Sequence, residues 1–334
     1  MPAGRMLPLH HFFAAGIEYP EAMRVAIVKT DVPMTAELCE ETILALAEAY
    51  PFLSTEILTT TAYGRNLRTL VLGTGERQVL YSAAHHANEW ITTPLLLKFA
   101  EELAYAYRAG TALYGVDAGV ILRNSRIHLV PMVDPDGVDL VTGAIAVGTL
   151  PYEAARTMAD FYPAIPFPDG WKANLLGVDL NLQYPAGWLQ AREIKFSQGY
   201  TRPGPRDYVG RAPLNQRETI ALADYTRRVD PSLVLAYHTQ GKVIYWQYQD
   251  LVVPGAEALA MEFSRLSGYE MEDVPYASGF AGYKDWFIRV FRRPGFTIEA
   301  GSGENPLPIA QFPEIYRDNL GILVTAALGL PTGS

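Results

Sequence analysis

His86 and Glu89 stand three positions apart in the stretch Val79-Leu80-Tyr81-Ser82-Ala83-Ala84-His85-His86-Ala87-Asn88-Glu89-Trp90. On one helical turn, an imidazole and a carboxylate at that spacing share a face and can converge on a single cation. A hydrolytic zinc ion typically takes three protein ligands, often two His and one Glu, and keeps a fourth position for water. Ser232-Leu233-Val234-Leu235-Ala236-Tyr237-His238 ends a second apolar run with a histidine, the candidate third ligand. On spacing alone another reading stands beside this one, in which His86 and Glu89 meet at a helix N-terminus and His238 simply closes a strand.

The elements that must position these groups follow from periodicity. Thr35 is an N-cap candidate for a helix whose apolar residues Cys39, Ile43, Leu46 and Tyr50 recur at helical spacing until Pro51. Runs Ile57 to Thr61 and Leu67 to Leu72 flank a hairpin turn at Tyr63-Gly64-Arg65-Asn66. Val79 to Ala84 reads as a buried strand, and a helix with Thr93 as N-cap and Pro94 as first residue runs to Gly110. Arg126 to Val133 is a strand closed by the turn Asp134-Pro135-Asp136-Gly137, and Val138 to Gly177 is broken repeatedly by proline and glycine, as functional loops are.

Beyond it, helices are expected at Gln216 to Arg228, Ala256 to Ser267, Gly282 to Val290 and Pro313 to Gly329. Strands are expected at the His238 run, Lys242 to Gln247 and Gly295 to Ala300. This alternation predicts an α/β fold: one domain with a mixed, mostly parallel sheet and helices on both faces. Sites in such sheets lie at the carboxyl ends of the strands, where His86, His238 and Glu299 all fall. Residues 1–30 read as an N-terminal arm and 31–334 as the catalytic domain.

The 334 residues, 49% of them hydrophobic, suffice for a large core. A net charge of -9 leaves no basic footprint for nucleic acid or an anionic membrane, and no apolar run approaches the roughly 18 residues of a membrane span. Cys39 is the only cysteine, which a reducing compartment permits, so the expected location is cytoplasmic.

Six motifs in order extend the pattern: His86-Ala87-Asn88-Glu89-Trp90, Asp134-Pro135-Asp136-Gly137, Gly177-Val178-Asp179-Leu180-Asn181, His238, Asp285-Trp286 and Phe296-Thr297-Ile298-Glu299. Over roughly residues 35 to 328 the chain resembles zinc carboxypeptidases of the carboxypeptidase A type, whose own zinc site, two His and one Glu, supplies the ligand set carried over here. Within that family it is most similar to bacterial γ-D-glutamyl-diamino acid peptidases, through Trp171-Lys172-Ala173-Asn174, Leu180 to Trp188, His238-Thr239-Gln240-Gly241 and Gly282-Tyr283-Lys284-Asp285-Trp286.

The resemblance implies one zinc ion on His86, Glu89 and His238, with Glu299 as general base and Lys172 as oxyanion stabiliser. It implies Asp179 behind a ligand histidine, and substrate contacts from Asn181, Lys284 and Tyr276. Where carboxypeptidases carry Asn-Arg, with the arginine clamping the substrate's terminal carboxylate, this chain has Asn181-Leu182; leucine offers no such fork. The implied activity is hydrolysis of the γ-D-glutamyl-diamino acid amide in murein-derived peptides. The rivals are a carboxypeptidase or amide deacylase on the same scaffold and a non-catalytic wall-peptide binder.

Overall fold

The computed structural model describes residues 26–330. Seven strands form one sheet in the spatial order Glu270–Met271, Val243–Tyr245, Gly295–Glu299, Leu233–His238, Arg77–Ala83, Ser125–Val130 and Leu70–Leu72. The run from Gly295–Glu299 to Ser125–Val130 is parallel throughout. Leu70–Leu72 and Val243–Tyr245 lie antiparallel to their inner neighbours, so the sheet is mixed and mostly parallel, as the alternation of elements predicts.

Side-chain alternation assigns each face its layer. Val79, Tyr81 and Ala83 enter a core shared with helices Ala36–Ala49, Thr92–Ala109 and Phe312–Leu328. Leu80, Val234 and Ala236 meet Tyr225, Trp286 and Phe287 from helices Arg217–Val229 and Tyr283–Phe291 on the other side. Burial on both faces is why these strands read as nearly unbroken apolar runs. Each buried large side chain contributes roughly 1.5–3 kcal/mol, which makes the sheet a stiff platform for groups projecting from its ends.

From Arg77–Ala83 the chain crosses to Ser125–Val130 on one side and later to Leu233–His238 on the other. The strand order therefore reverses beside Arg77–Ala83, and a crevice opens at the carboxyl ends there. Register places Glu299 opposite His238 and Ala83 opposite Tyr237. The segments bearing His86, His238 and Glu299 thus leave the sheet at the same end.

Four local expectations change. Asp134-Pro135-Asp136-Gly137 is no free turn but the start of helix Pro135–Val141: Asp134 Oδ1 accepts from the Gly137 amide at 3.0 Å, and proline sits in the first helical turn. The run Leu67 to Leu72 splits, because Asn66–Arg68 pairs in the hairpin with Ile57–Thr60 while Leu70–Leu72 joins the main sheet. The helix after Glu89 begins at Thr92, and the proline-broken stretch contains the helix Leu150–Ala159. The expected arm lies outside the described residues up to position 25. Beyond it Val28 is buried, and the Ile27 amide donates to Glu101 Oε1 at 2.7 Å.

Candidate active site

The ligand-bearing turn is fixed by one threonine. Past the end of Arg77–Ala83, Ala84 turns the backbone with φ 48°, and Ala87–Glu89 forms a single 3-10 turn with His86 as its N-cap. In that geometry positions three apart eclipse, so His86 and Glu89 point the same way. Thr92 Oγ1 accepts from the Ala84 amide at 3.0 Å and donates to the Glu89 carbonyl at 2.7 Å, tying strand end to turn.

Three donors converge. His86 Nδ1 lies 2.9 Å from Glu89 Oε1, His238 Nδ1 lies 2.8 Å from Glu89 Oε2, and the two ring nitrogens are 3.3 Å apart. Ligand atoms ~2.0–2.1 Å from one tetrahedral zinc would be about 3.3–3.4 Å from one another. The histidine pair matches that edge, and all three ligand atoms lie within 4.8 Å. Charge points the same way. Burial opposes ionisation of Glu89, yet His86, Lys172 and His238 hold its carboxyl well below the usual range. Burial also opposes a charged His86, but Glu89 and Asp179 outweigh it and raise the imidazole to about 9, so the centre of the triad favours positive charge. These residues fit a zinc ion.

The neighbours complete the pattern. His86 Nε2 faces Asp179 Oδ1 at 3.2 Å, the carboxylate contact that orients a ligand histidine. Lys172 Nζ donates to Glu89 Oε1 at 2.8 Å, and its charge acts on Glu299 as well. Burial, reinforced by Glu89, pushes the Glu299 carboxyl up to about 8. Behind the triad His85 is fully buried, stacked on His238 with ring centroids 5.5 Å apart, and burial keeps it neutral.

A cavity of ≈ 250 Å³ opens over this group. Asn181 lines it; its Oδ1 accepts from the Tyr283 amide at 3.0 Å, anchoring helix Tyr283–Phe291 and leaving Nδ2 without a partner among the described residues. That helix carries Lys284, only 4% exposed, whose Nζ donates to the Gln247 carbonyl and lies 2.6 Å from Asp285 Oδ1. Leu182 forms part of the wall, so no arginine takes the place that the Asn-Arg pattern would give one. Tyr276 is 67% exposed, stands edge-on to Phe280 and accepts from Gln190 Nε2 at 3.3 Å; its neighbours Pro275 and Ser278 line the cavity and it does not. Tyr245 lines the cavity, whereas Trp246 packs against the core.

Sequence reasoning missed Lys195, Arg206 and Asp207, which also line this cavity. Lys195 comes from the helix Trp188–Ser197, which has a weak apolar pattern. Arg206 and Asp207 come from a segment whose only local mark is two adjacent opposite charges among prolines and glycines.

Comparison with known proteins agrees with this geometry. The Bacillus subtilis protein YqgT, itself uncharacterised, is 36% identical over 85% of this chain and 74% of its own length. A γ-D-glutamyl-L-diamino acid endopeptidase of Lysinibacillus sphaericus is 44% identical over 281 residues, covering 84% of this chain and 68% of that protein. The solved structure of thrombin-activatable fibrinolysis inhibitor superposes with a TM-score of 0.70 at 17% identity, covering 91% of this chain and 76% of that one, which establishes the shared fold. The zinc carboxypeptidase family profile matches residues 39–321, a span containing every donor and every cavity wall described above, and this chain belongs to that family of zinc peptidases.

Proposed function

We propose that the chain hydrolyses the amide between γ-D-glutamate and a diamino acid in murein-derived peptides. The observation that carries this reading is the buried Lys284–Asp285 pair within the cavity that also holds the His86, Glu89 and His238 donors. The tip of a diaminopimelate side chain bears one ammonium and one carboxylate. An ion pair offers each a partner, Asp285 to the ammonium and Lys284 to the carboxylate. Leu182, in place of a carboxylate-clamping arginine, argues against ordinary C-terminal trimming. The similarity to the Lysinibacillus endopeptidase supports the same substrate class.

His86, Glu89 and His238 would hold the zinc. When bound, the ion lowers the pKa of a water toward roughly 7 and polarises the scissile carbonyl. In its ionised form Glu299 accepts the water's proton and returns it to the departing nitrogen, and burial strengthens the carboxylate as a base. Lys172, beside both Glu89 and Glu299, supplies positive charge where the oxyanion develops. Asp179 keeps the His86 ring in place, and the Asn181 amide contacts the substrate backbone. Tyr276 stands on its turn next to the cavity wall, a further substrate contact. Among the described residues no helix is long and apolar enough to cross a membrane. The free, buried Cys39 suits a reducing compartment, and we place the reaction in the cytoplasm.

The test is mass spectrometry of products from L-Ala-γ-D-Glu-meso-diaminopimelate, with chelator controls. Free diaminopimelate is the expected product. Zinc-loaded enzyme that leaves the peptide whole but cuts blocked α-linked dipeptides would replace this reading with an ordinary carboxypeptidase or deacylase. Binding without turnover would make the chain a silent wall-peptide binder.

A further inference from the structure

We propose that Arg206 reads the γ linkage by binding the free α-carboxylate that a γ-linked glutamyl residue carries on the acyl side of the scissile amide. This rests on the function proposed above and specifies how it is achieved. The cleft has two lobes. The first holds the metal-binding triad and Lys284; the second, of ≈ 850 Å³, is walled by residues such as Ile165, Asp169 and Asn305. Lys172, Arg206, Tyr245 and Glu299 line both. With the diamino acid against Lys284, the scissile amide lies at the shared wall and the glutamyl moiety extends into the second lobe.

The chemistry at that wall separates the two linkages. An α-linked residue spends its α-carboxyl in the scissile amide. A γ-linked glutamate keeps that carboxylate free, three carbons from the scissile carbonyl, and a site that prefers it needs a cation on the acyl side. Of the two cations at the shared wall, Lys172, held by Glu89 at 2.8 Å, is the one already assigned to the oxyanion. Arg206 uses only Nε, which donates to Asp207 Oδ2 at 2.7 Å; its two terminal nitrogens have no partner among the described residues, and its side chain is 40% exposed.

The guanidinium is held in place. Asp207 is also gripped by Lys195, 9% exposed, at 2.6 Å, and the Asp207 amide donates to Asp179 Oδ2 at 3.2 Å. The preceding Pro205 carbonyl accepts from the Lys172 and Ala173 amides at 2.7 and 2.9 Å. Arg206 is thereby fastened to the segment bearing Lys172 and to the carboxylate behind His86. One Asp207 charge between two cations leaves the trio at net +1, and a planar fork with two free nitrogens suits a carboxylate.

The experiment compares kcat/KM for L-Ala-γ-D-Glu-meso-diaminopimelate with that for the same peptide carrying a carboxamide in place of the glutamyl α-carboxylate. The zinc-loaded wild type is expected to prefer the carboxylate by on the order of 10- to 100-fold, the scale of a charge-assisted contact. Arg206→Gln should erase most of that preference while cutting the carboxamide peptide within a few-fold of wild type, and Arg206→Lys should restore part of it. Equal wild-type rates on both peptides would overturn the inference, whatever the variants do, and leave the proposed function standing. So would an Arg206→Gln variant that loses both rates in proportion. If the wild type cut neither peptide, the functional reading and this inference would fall together.

Discussion

Glu299 and Glu89 show how residues of one type are given different work by their surroundings. Both are carboxylates at the end of the same sheet. Glu89 sits between two imidazoles and an ammonium, which keep it ionised and suited to bind a cation, whereas burial and the Glu89 charge leave Glu299 readier to hold a proton. The proposed division of labour yields a direct expectation: Glu299→Gln should bind zinc as the wild type does while losing on the order of 10² or more in kcat, the scale of a lost general base. Metal analysis alongside turnover on the stem peptide checks both halves. Unchanged turnover would remove Glu299 from the chemistry, and lost zinc would mean the residue serves the metal instead.

The helix Pro135–Val141 is the element on which the site rests, although it contributes no side chain to the cavity. A Cβ at Gly137 would come 2.4 Å from Asp134 Oδ2, 2.6 Å from the Ala173 carbonyl oxygen and 2.8 Å from Ala87 Cβ. Two of those neighbours adjoin Lys172 and His86. The absence of a side chain at 137 is what lets the helix press against the segments bearing these residues. Gly137→Ala should therefore lower stability by about 1–3 kcal/mol, as overpacking does, and weaken zinc binding at the same time. A shift in the denaturation midpoint with a matching rise in the zinc concentration at half-saturation is the expected pair of results; a midpoint and affinity both unmoved would mean that the contact is soft. The hairpin is tied to the same helix, because Asp136 accepts from Thr61 Oγ1 at 2.8 Å and from the Tyr63 amide at 3.2 Å.

Across the whole molecule, acids outnumber bases 36 to 27, and several acids are buried together behind the site. Glu218 is pushed up to about 7, first by burial and then by the Asp136 charge, against the pull of Asn174 and Arg217; Asp134, nearby, is raised as well. A carboxyl whose folded value lies above its ordinary one keeps its proton in the fold after the unfolded chain has lost it. At this group the fold binds more protons than the unfolded chain, so its contribution to stability falls as pH rises from about 4.5 to about 7 and then levels. Glu218→Gln keeps an acceptor for Asn174 Nδ2, now at 3.4 Å, and removes that decline. Its melting temperature should match the wild type near pH 4.5 and exceed it at pH 8, by a stabilisation on the order of 1–3 kcal/mol. An equal shift at both pH values would assign the effect to packing rather than ionisation.

The sequence by itself determined the frame that delivers the site, while the candidate ligands and the acid opposite them were named through the resemblance its motifs carry. His86 and Glu89 three apart, His238 and Glu299 at the ends of apolar runs, and the alternation of strands and helices are local patterns, legible because strand and helix periods are properties of neighbouring residues. Leu182, in the place of an arginine, was equally plain. What only the tertiary structure decided is who meets whom across long intervals. Asp134-Pro135-Asp136-Gly137 fits a turn and an N-cap equally well until Thr61 and Tyr63 engage Asp136. Lys284 is a substrate contact by resemblance alone, and its burial against Asp285 is decided only when its helix turns it inward. Lys195, Arg206 and Asp207 carry no periodic mark, because an ion pair formed through a loop depends on where the sheet places the loop's two ends, and no local pattern encodes that.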